Sequence, residues 1–197
     1  MTSQIALAVV PEANRARVPM ISPTVSTNQL SGLDDYFLRV YYNNTQAAGM
    51  LADFLTRERQ TPRMAAIYDR SNRAYTEDWL KDFRGHYAQH NGEMIAAIDF
   101  DPASGTTFGT IIDRILQSKP GGILLLANAV DSAMLAQQLA KRNANIPLYA
   151  TGWSYTDDLL QLGGKSVEGL TIIQSADQES RAPAYLEFAR LYRERFR

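Results

Sequence analysis

The chain has 197 residues, 45 % of them hydrophobic, so a core of ordinary size is available without cross-links. Its 20 basic and 21 acidic residues leave a net charge of −1 and no basic or acidic tract, which excludes an electrostatic footprint for nucleic acid or an anionic membrane. The absence of cysteine removes disulfides, thiolate zinc sites and thiol nucleophiles, and the apolar run at 121–127 is far short of the ~20 residues that cross a bilayer.

The first element in chain order is an Ala/Val/Leu-rich helix that opens on the hydroxyl pair Thr2 and Ser3, followed by a short strand at 18–21 that breaks at Ser22 and Pro23. Hydroxyls crowd the next loop: Ser22, Thr24, Ser26 and Thr27. An extended segment at 36–42 leads into a helix with Ala47, Ala48, Leu51, Phe54 and Leu55 facing inward. From there apolar strands and amphipathic helices alternate. Strands are expected at 64–68 (MAAIY), 94–100 (MIAAIDF), 122–127 (GILLLA), 147–150 (PLYA) and 170–174 (LTIIQ), mostly continuous apolar runs of the kind covered on both faces.

The intervening helices carry a 3.6-residue stripe. The first begins at a Thr76 cap, with Glu77 and Asp78 in its first turn and Trp79, Leu80, Phe83 and Tyr87 buried. Phe108, Ile111, Ile112, Ile115 and Leu116 line the second, Met134, Leu135, Gln138 and Leu139 mark the third, and Leu159, Leu160 and Leu162 a short fourth. Pro183 starts a last helix with Tyr185, Phe188, Ala189, Tyr192 and Phe196 on one side. This alternation predicts an α/β fold, a doubly wound parallel sheet, whose ligands sit beyond the carboxyl ends of the strands. The loops to inspect are therefore 69–75, 101–107, 128–131, 151–155 and 175–180.

Most chemical motifs fail on spacing or order. Gly163-Gly164-Lys165-Ser166 echoes a phosphate loop, but Leu159 stands where its first glycine belongs and a strand follows where a helix is needed. Gly152-Trp153-Ser154-Tyr155-Thr156 resembles a nucleophile elbow without its second glycine, and both histidines precede Ser154, so a serine hydrolase is the reading of another class. His86 and His90 share a helix face without a third ligand, which points to a solvated helix end rather than a metal site. With no dinucleotide fingerprint, no cofactor and no enzyme activity are expected. What remains is hydroxyls and aromatics at strand ends, a pattern that suits a small-molecule ligand as well as loop capping.

Taken in order, the stretches "SQIALAVVPEANRARVPMISPTVSTNQL", "YFLRVYYNNTQAAGMLADFL", "RMAAIYDRSNRAYTEDWLKDFRGHYAQHNGEMI", "TTFGTIIDRILQSKPGGILLLANAVDSAMLAQQL", "IPLYATGW" and "VEGLTIIQS" resemble the type I periplasmic solute-binding proteins of ABC importers, the branched-chain amino-acid-binding group. The resemblance implies two flavodoxin-like lobes that close on a solute by hinge bending. It divides the chain into 1–42, a remnant of lobe I; 43–176, a complete lobe II; and 177–197, a hinge return and a helix towards lobe I. Most of lobe I is thereby expected before Met1 and its completion after Arg197. It also implies ligand contacts from Ser3, Thr24, Ser26 and Thr27 in lobe I and from Tyr75, Asn128, Ala129 and Trp153 in lobe II. The partners implied are an amino acid or an aromatic or other organic acid, and an ABC permease, in the periplasm or at the cell surface, with export signalled upstream. The branched-chain binders carry an acidic residue near Trp153 for the solute's ammonium, and this chain does not, which leaves room for an aromatic or other organic solute. A fragment of this kind is expected to bind weakly and to self-associate through Ile5, Leu7, Val9 and Val10. A cytosolic amide or amino-acid sensor that regulates transcription is the alternative on the same fold.

Overall fold

The computed structural model describes residues 1–105, 107–174, 177 and 179–196. Five strands, β3 (Arg63–Asp69), β4 (Glu93–Phe100), β5 (Gly122–Leu126), β6 (Leu148–Thr151) and β7 (Thr171–Ile173), form one parallel sheet in the order β4-β3-β5-β6-β7. The order reverses between β3 and β5, which makes the space beyond their carboxyl ends the topological switch point of the sheet.

Alternation along the strands separates two cores. Met64, Ala66, Leu124 and Leu126 face α2 (Asn44–Arg57) and α3 (Arg73–Gln89), where they meet Leu51, Leu55, Trp79, Phe83 and Tyr87. Ala65, Ile67, Ile123 and Leu125 face the other way, onto Ile111, Ile112 and Ile115 of α4 (Phe108–Gln117) and Leu135 and Leu139 of α5 (Ala129–Lys141). Every residue of β5 is buried, as the continuous apolar run requires. The expected strands are all present; β6 is displaced by one residue towards Thr151, and β7 is shorter than 170–174.

Trp79, Phe83 and Tyr87 stack along α3 at centroid separations of 5.7 and 4.9 Å, and the Tyr87 hydroxyl donates to the Thr61 carbonyl. A Cβ at Gly92 would stand 2.6 Å from the Tyr87 ring, so only glycine lets the chain turn there. Of the stripes on later helices, Leu159 is buried on α6 (Asp157–Gly163) while Leu160 and Leu162 are exposed. On α7 (Pro183–Phe196) Phe188, Tyr192 and Phe196 pack on one another and remain exposed. Gly163 and Gly164 form the turn from α6 towards β7 rather than a phosphate cradle.

The start of α3 departs from expectation. Thr76 lies inside the helix, which begins at Arg73 after a 3-10 turn over Arg70–Asn72, and its hydroxyl donates to the Asp69 carbonyl at 2.8 Å. Asp78 is accordingly beyond the first turn. It accepts from the Thr27 hydroxyl at 2.6 Å and from the Asn28 amide at 3.3 Å, while Asp82 accepts from the Asn28 side chain at 2.6 Å and from Thr45 at 2.8 Å.

The bonds from Thr27 and Asn28 fasten the small N-terminal unit to the larger sheet domain. The small unit consists of α1 (Ser3–Ala16) packed on two parallel strands, β1 (Met20–Ser22) and β2 (Phe37–Arg39). Its core is Ala6, Val10, Val25 and Phe37. Val10 is thus covered, contrary to the expectation of a bare apolar face, whereas Ile5 and Val9 are exposed. Arg39 reaches back from β2 to donate to the Thr27 carbonyl at 2.7 Å, which holds the hydroxyl loop in place.

Candidate functional site

A cleft of about 420 Å³ opens where the small unit meets the carboxyl edge of the five-stranded sheet. From one side Ser3, Thr24 and Ser26 line it; from the other, Tyr75 and Trp153. Five of the eight residues singled out from the sequence therefore share one wall-to-wall space.

Each is positioned by its element. Thr2 caps α1, its hydroxyl accepting from the Ile5 amide, so Ser3 occupies the first helical position at the positive end of the helix dipole. The Ser3 hydroxyl accepts from the amides of Ser26 and Thr27 at 3.4 and 3.3 Å, which folds the loop over the helix start and leaves the Ser3 proton to donate elsewhere. Ser22 plays the matching role at the loop's entry, accepting from the Val25 amide at 3.1 Å. Thr24 is exposed and donates to the Met1 carbonyl at 3.3 Å.

On the sheet side, Tyr75 projects from the first turn of α3 and Trp153 from a 3-10 turn over Gly152–Ser154 after β6. Their rings meet edge to face, 5.4 Å apart at 83°. Burial pushes the Tyr75 phenol well above its ordinary pKa, partly offset by the neighbouring Thr151 hydroxyl, so the ring stays neutral.

Thr27, Asn128 and Ala129 fall outside this cleft. Thr27 is fully buried with its hydroxyl committed to Asp78. Asn128 caps α5, accepting from the Asp131 amide at 3.0 Å and donating to the Asp131 carboxylate at 2.8 Å. With Ala129 it lines an adjoining cavity of about 690 Å³ that shares Thr2, Asn72, Trp153 and Thr156 with the cleft. Asp69 and Asp131 also face that cavity; burial, and after it the charge of Asp69, raises the Asp131 carboxyl above the usual carboxylate range.

Sequence reasoning missed Tyr41, Asn72 and Gln174 among the cleft's walls. Tyr41 lies in the segment after β2 and stacks on Tyr42 at 4.8 Å, and Gln174 follows β7. The position of each at the exit of a strand was the available signal. Within the inspected loops, Thr106, Ser175, Ala176 and Gln178 lie outside the described residues.

Among the described residues lining the cleft there is no Asp, Glu, Lys, Arg or His, and four aromatic rings, Tyr41, Tyr75, Trp153 and Tyr155, face it. Such a lining suits a flat solute whose polar end is met by hydroxyls and a helix start. Ser154 is no nucleophile in this setting: it is fully buried, donating to the Ala127 carbonyl at 2.9 Å and lying 2.9 Å from the Ser132 hydroxyl, while His86 sits on α3 and His90 at its C-terminal cap. His90 pairs with Asp53 at 3.1 Å, and among the described residues no group of three or more His, Cys, Asp or Glu side chains could hold a metal ion.

A family model described as periplasmic binding protein matches residues 1–197. Among solved structures, the leucine binding protein LivK of Thermotoga maritima is similar at 20 % identity with a TM-score of 0.85, covering 100 % of this chain and 55 % of that one. A solute binding protein of an R. palustris ABC transporter, in complex with benzoate, is 16 % identical with a TM-score of 0.82, covering 98 % of this chain and 53 % of its own. Another from Rhodopseudomonas palustris BisB5, in complex with 3,4-dihydroxy benzoic acid, is 24 % identical with a TM-score of 0.76, covering 97 % and 52 %. The chain thus spans about half the length of the structures it matches. No curated protein matches it.

Proposed function

This chain belongs to the periplasmic binding protein family, and on that premise we infer that it serves as the solute-binding component of an ABC importer, working in the periplasm with a membrane permease. The site we assign to the solute is the cleft, with Ser3, Thr24 and Ser26 on one side and Tyr75 and Trp153 on the other. One observation carries this reading: the small N-terminal unit and the carboxyl edge of the five-stranded parallel sheet contribute hydroxyls and aromatics to a single space.

An aromatic carboxylate is the solute class that the lining favours. A carboxylate would accept from the Ser3 hydroxyl and the start of α1, while the ring would lie against Tyr75 and Trp153. A buried ammonium would need a carboxylate partner, and the cleft offers none among its described walls. The benzoate and dihydroxybenzoic acid held by two proteins of the same fold are in keeping with this.

An amino acid is the second reading, and the adjoining cavity favours it. Asp69 and Asp131 lie beyond Trp153, where an ammonium reaching past the indole would find carboxylates.

Thermal-shift and calorimetric screening of benzoates and amino acids against the protein tests both. A solute of either class should raise the melting temperature, and Tyr75→Ala and Trp153→Ala should each abolish the rise. A rise that survives both substitutions overturns the assignment of the cleft.

A further inference from the structure

Behind the cleft lies a smaller hollow of about 10 Å³, room for one water-sized group. It adjoins the cleft, with Ser26, Tyr41, Tyr75 and Gly152 lining both. Asn44 and Thr151, each 1 % exposed, close it off.

Three polar atoms here have no partner: Thr151 Oγ1, Asn44 Oδ1 and Asn43 Oδ1. The orientation of Asn44 is fixed, because its Nδ2 donates to the Tyr75 carbonyl at 3.2 Å and so turns its oxygen away from that bond. Thr151 faces the Tyr75 phenol without reaching hydrogen-bond geometry. Gln174 Nε2, on the cleft wall near Gly152, is unpaired as well. A buried polar atom left unpaired is destabilising, and here unpaired atoms gather around one hollow beside a ligand-sized space.

The missing partner must donate to the Asn44 oxygen, exchange a hydrogen bond with a hydroxyl and occupy the volume of a single heavy atom. Carboxylates fail on the first count and amines on charge. An uncharged O–H meets all three.

We propose that the hollow is a subsite for a hydroxyl carried by the solute, read by Thr151 and Asn44 and filled by a water when the solute lacks one. This rests on the solute-binding reading above. It adds a selectivity that the lining of the cleft does not supply, and it holds for either solute class.

The test uses two pairs of probes that differ by one hydroxyl: benzoate with 4-hydroxybenzoate, and phenylalanine with tyrosine, each titrated calorimetrically into the protein. In the pair that binds, the hydroxylated member should be at least about tenfold tighter. Thr151→Val, which keeps the shape and removes the hydroxyl, should bring that ratio to within about threefold, and Thr151→Ser should retain it. Equal affinities within a binding pair, or a preference indifferent to Thr151→Val, overturns the subsite and leaves the solute-binding reading standing. Should none of the four bind, the aromatic solute reading falls and the subsite with it. The wild-type ratio alone decides the matter if the valine variant does not fold.

Discussion

Gln4 and Asn72 cap each other's helices. The Gln4 amide, in the first turn of α1, donates to Asn72 Oδ1 at 3.1 Å, and the Gln4 side-chain oxygen accepts from the Ala74 amide, in the first turn of α3, at 3.2 Å. Residues 68 positions apart thus satisfy donors that a helix start otherwise leaves to water. The two helix starts that flank the cleft are held at a fixed distance by these bonds, together with those from Asp78 and Asp82.

Replacing either partner removes a cap. Asn72→Ala and Gln4→Ala should each cost about 1 kcal/mol, a melting-temperature drop of about 2–4 °C for a chain of this size. The double substitution should cost less than the sum, because losing either bond loosens the helix start on which the other depends. Thermal denaturation followed by circular dichroism reads both; strict additivity would mean the caps are independent.

Gly92→Ala should be more damaging than its single methyl suggests. The added Cβ collides with the Tyr87 ring, and relieving the collision moves the Tyr87 hydroxyl off the Thr61 carbonyl. Overpacking of this kind costs about 1–3 kcal/mol. A melting temperature within a degree of wild type would contradict the contact.

The acidity of Asp131 sets a pH dependence. Its folded pKa is raised, so between the ordinary carboxylate value and that raised value the folded state binds more protons than the unfolded one. Stability from this group therefore falls as pH rises through that interval, and it is the ionised form that strains the fold. Asp131→Asn keeps an acceptor for Asn128 and should gain stability relative to wild type at pH 7 compared with pH 3.5. Denaturant melts at the two pH values test the sign.

Ser154 is a structural hydroxyl. Ser154→Ala takes one partner each from the Ser132 hydroxyl and the Ala127 carbonyl, leaving them only their long mutual bond of 3.5 Å, and should lower stability by about 1 kcal/mol. A serine-reactive phosphonate should leave the native protein unlabelled; labelling that Ser154→Ala abolishes would restore the hydrolase reading.

The sheet was legible because its strands are written as apolar runs, and Ile123 to Leu126 admit no environment but a covered one. The start of α3 was not. Thr76 has the composition of a cap, yet the donors of that helix are met by Gln4, and nothing local to residues 70–76 announces a partner from α1. The same blindness explains Thr27: a hydroxyl in a Ser/Thr-rich loop is equally suited to face a solute or a helix, and only the approach of Asp78 decides. Tyr41 and Gln174 escaped notice because the ends of β2 and β7 come together in space and not in sequence. Tyr75 and Trp153 were found because they follow strands, where the topology of a parallel sheet collects its loops.

The chain's two tryptophans divide the labour of an optical readout. Trp79 is sealed in the core at 1 % exposure, whereas Trp153 stands half-buried in the cleft wall against Tyr75. Emission from the first changes when the core comes apart, and emission from the second responds to whatever settles beside it. Native fluorescence therefore separates occupancy from unfolding without an attached dye.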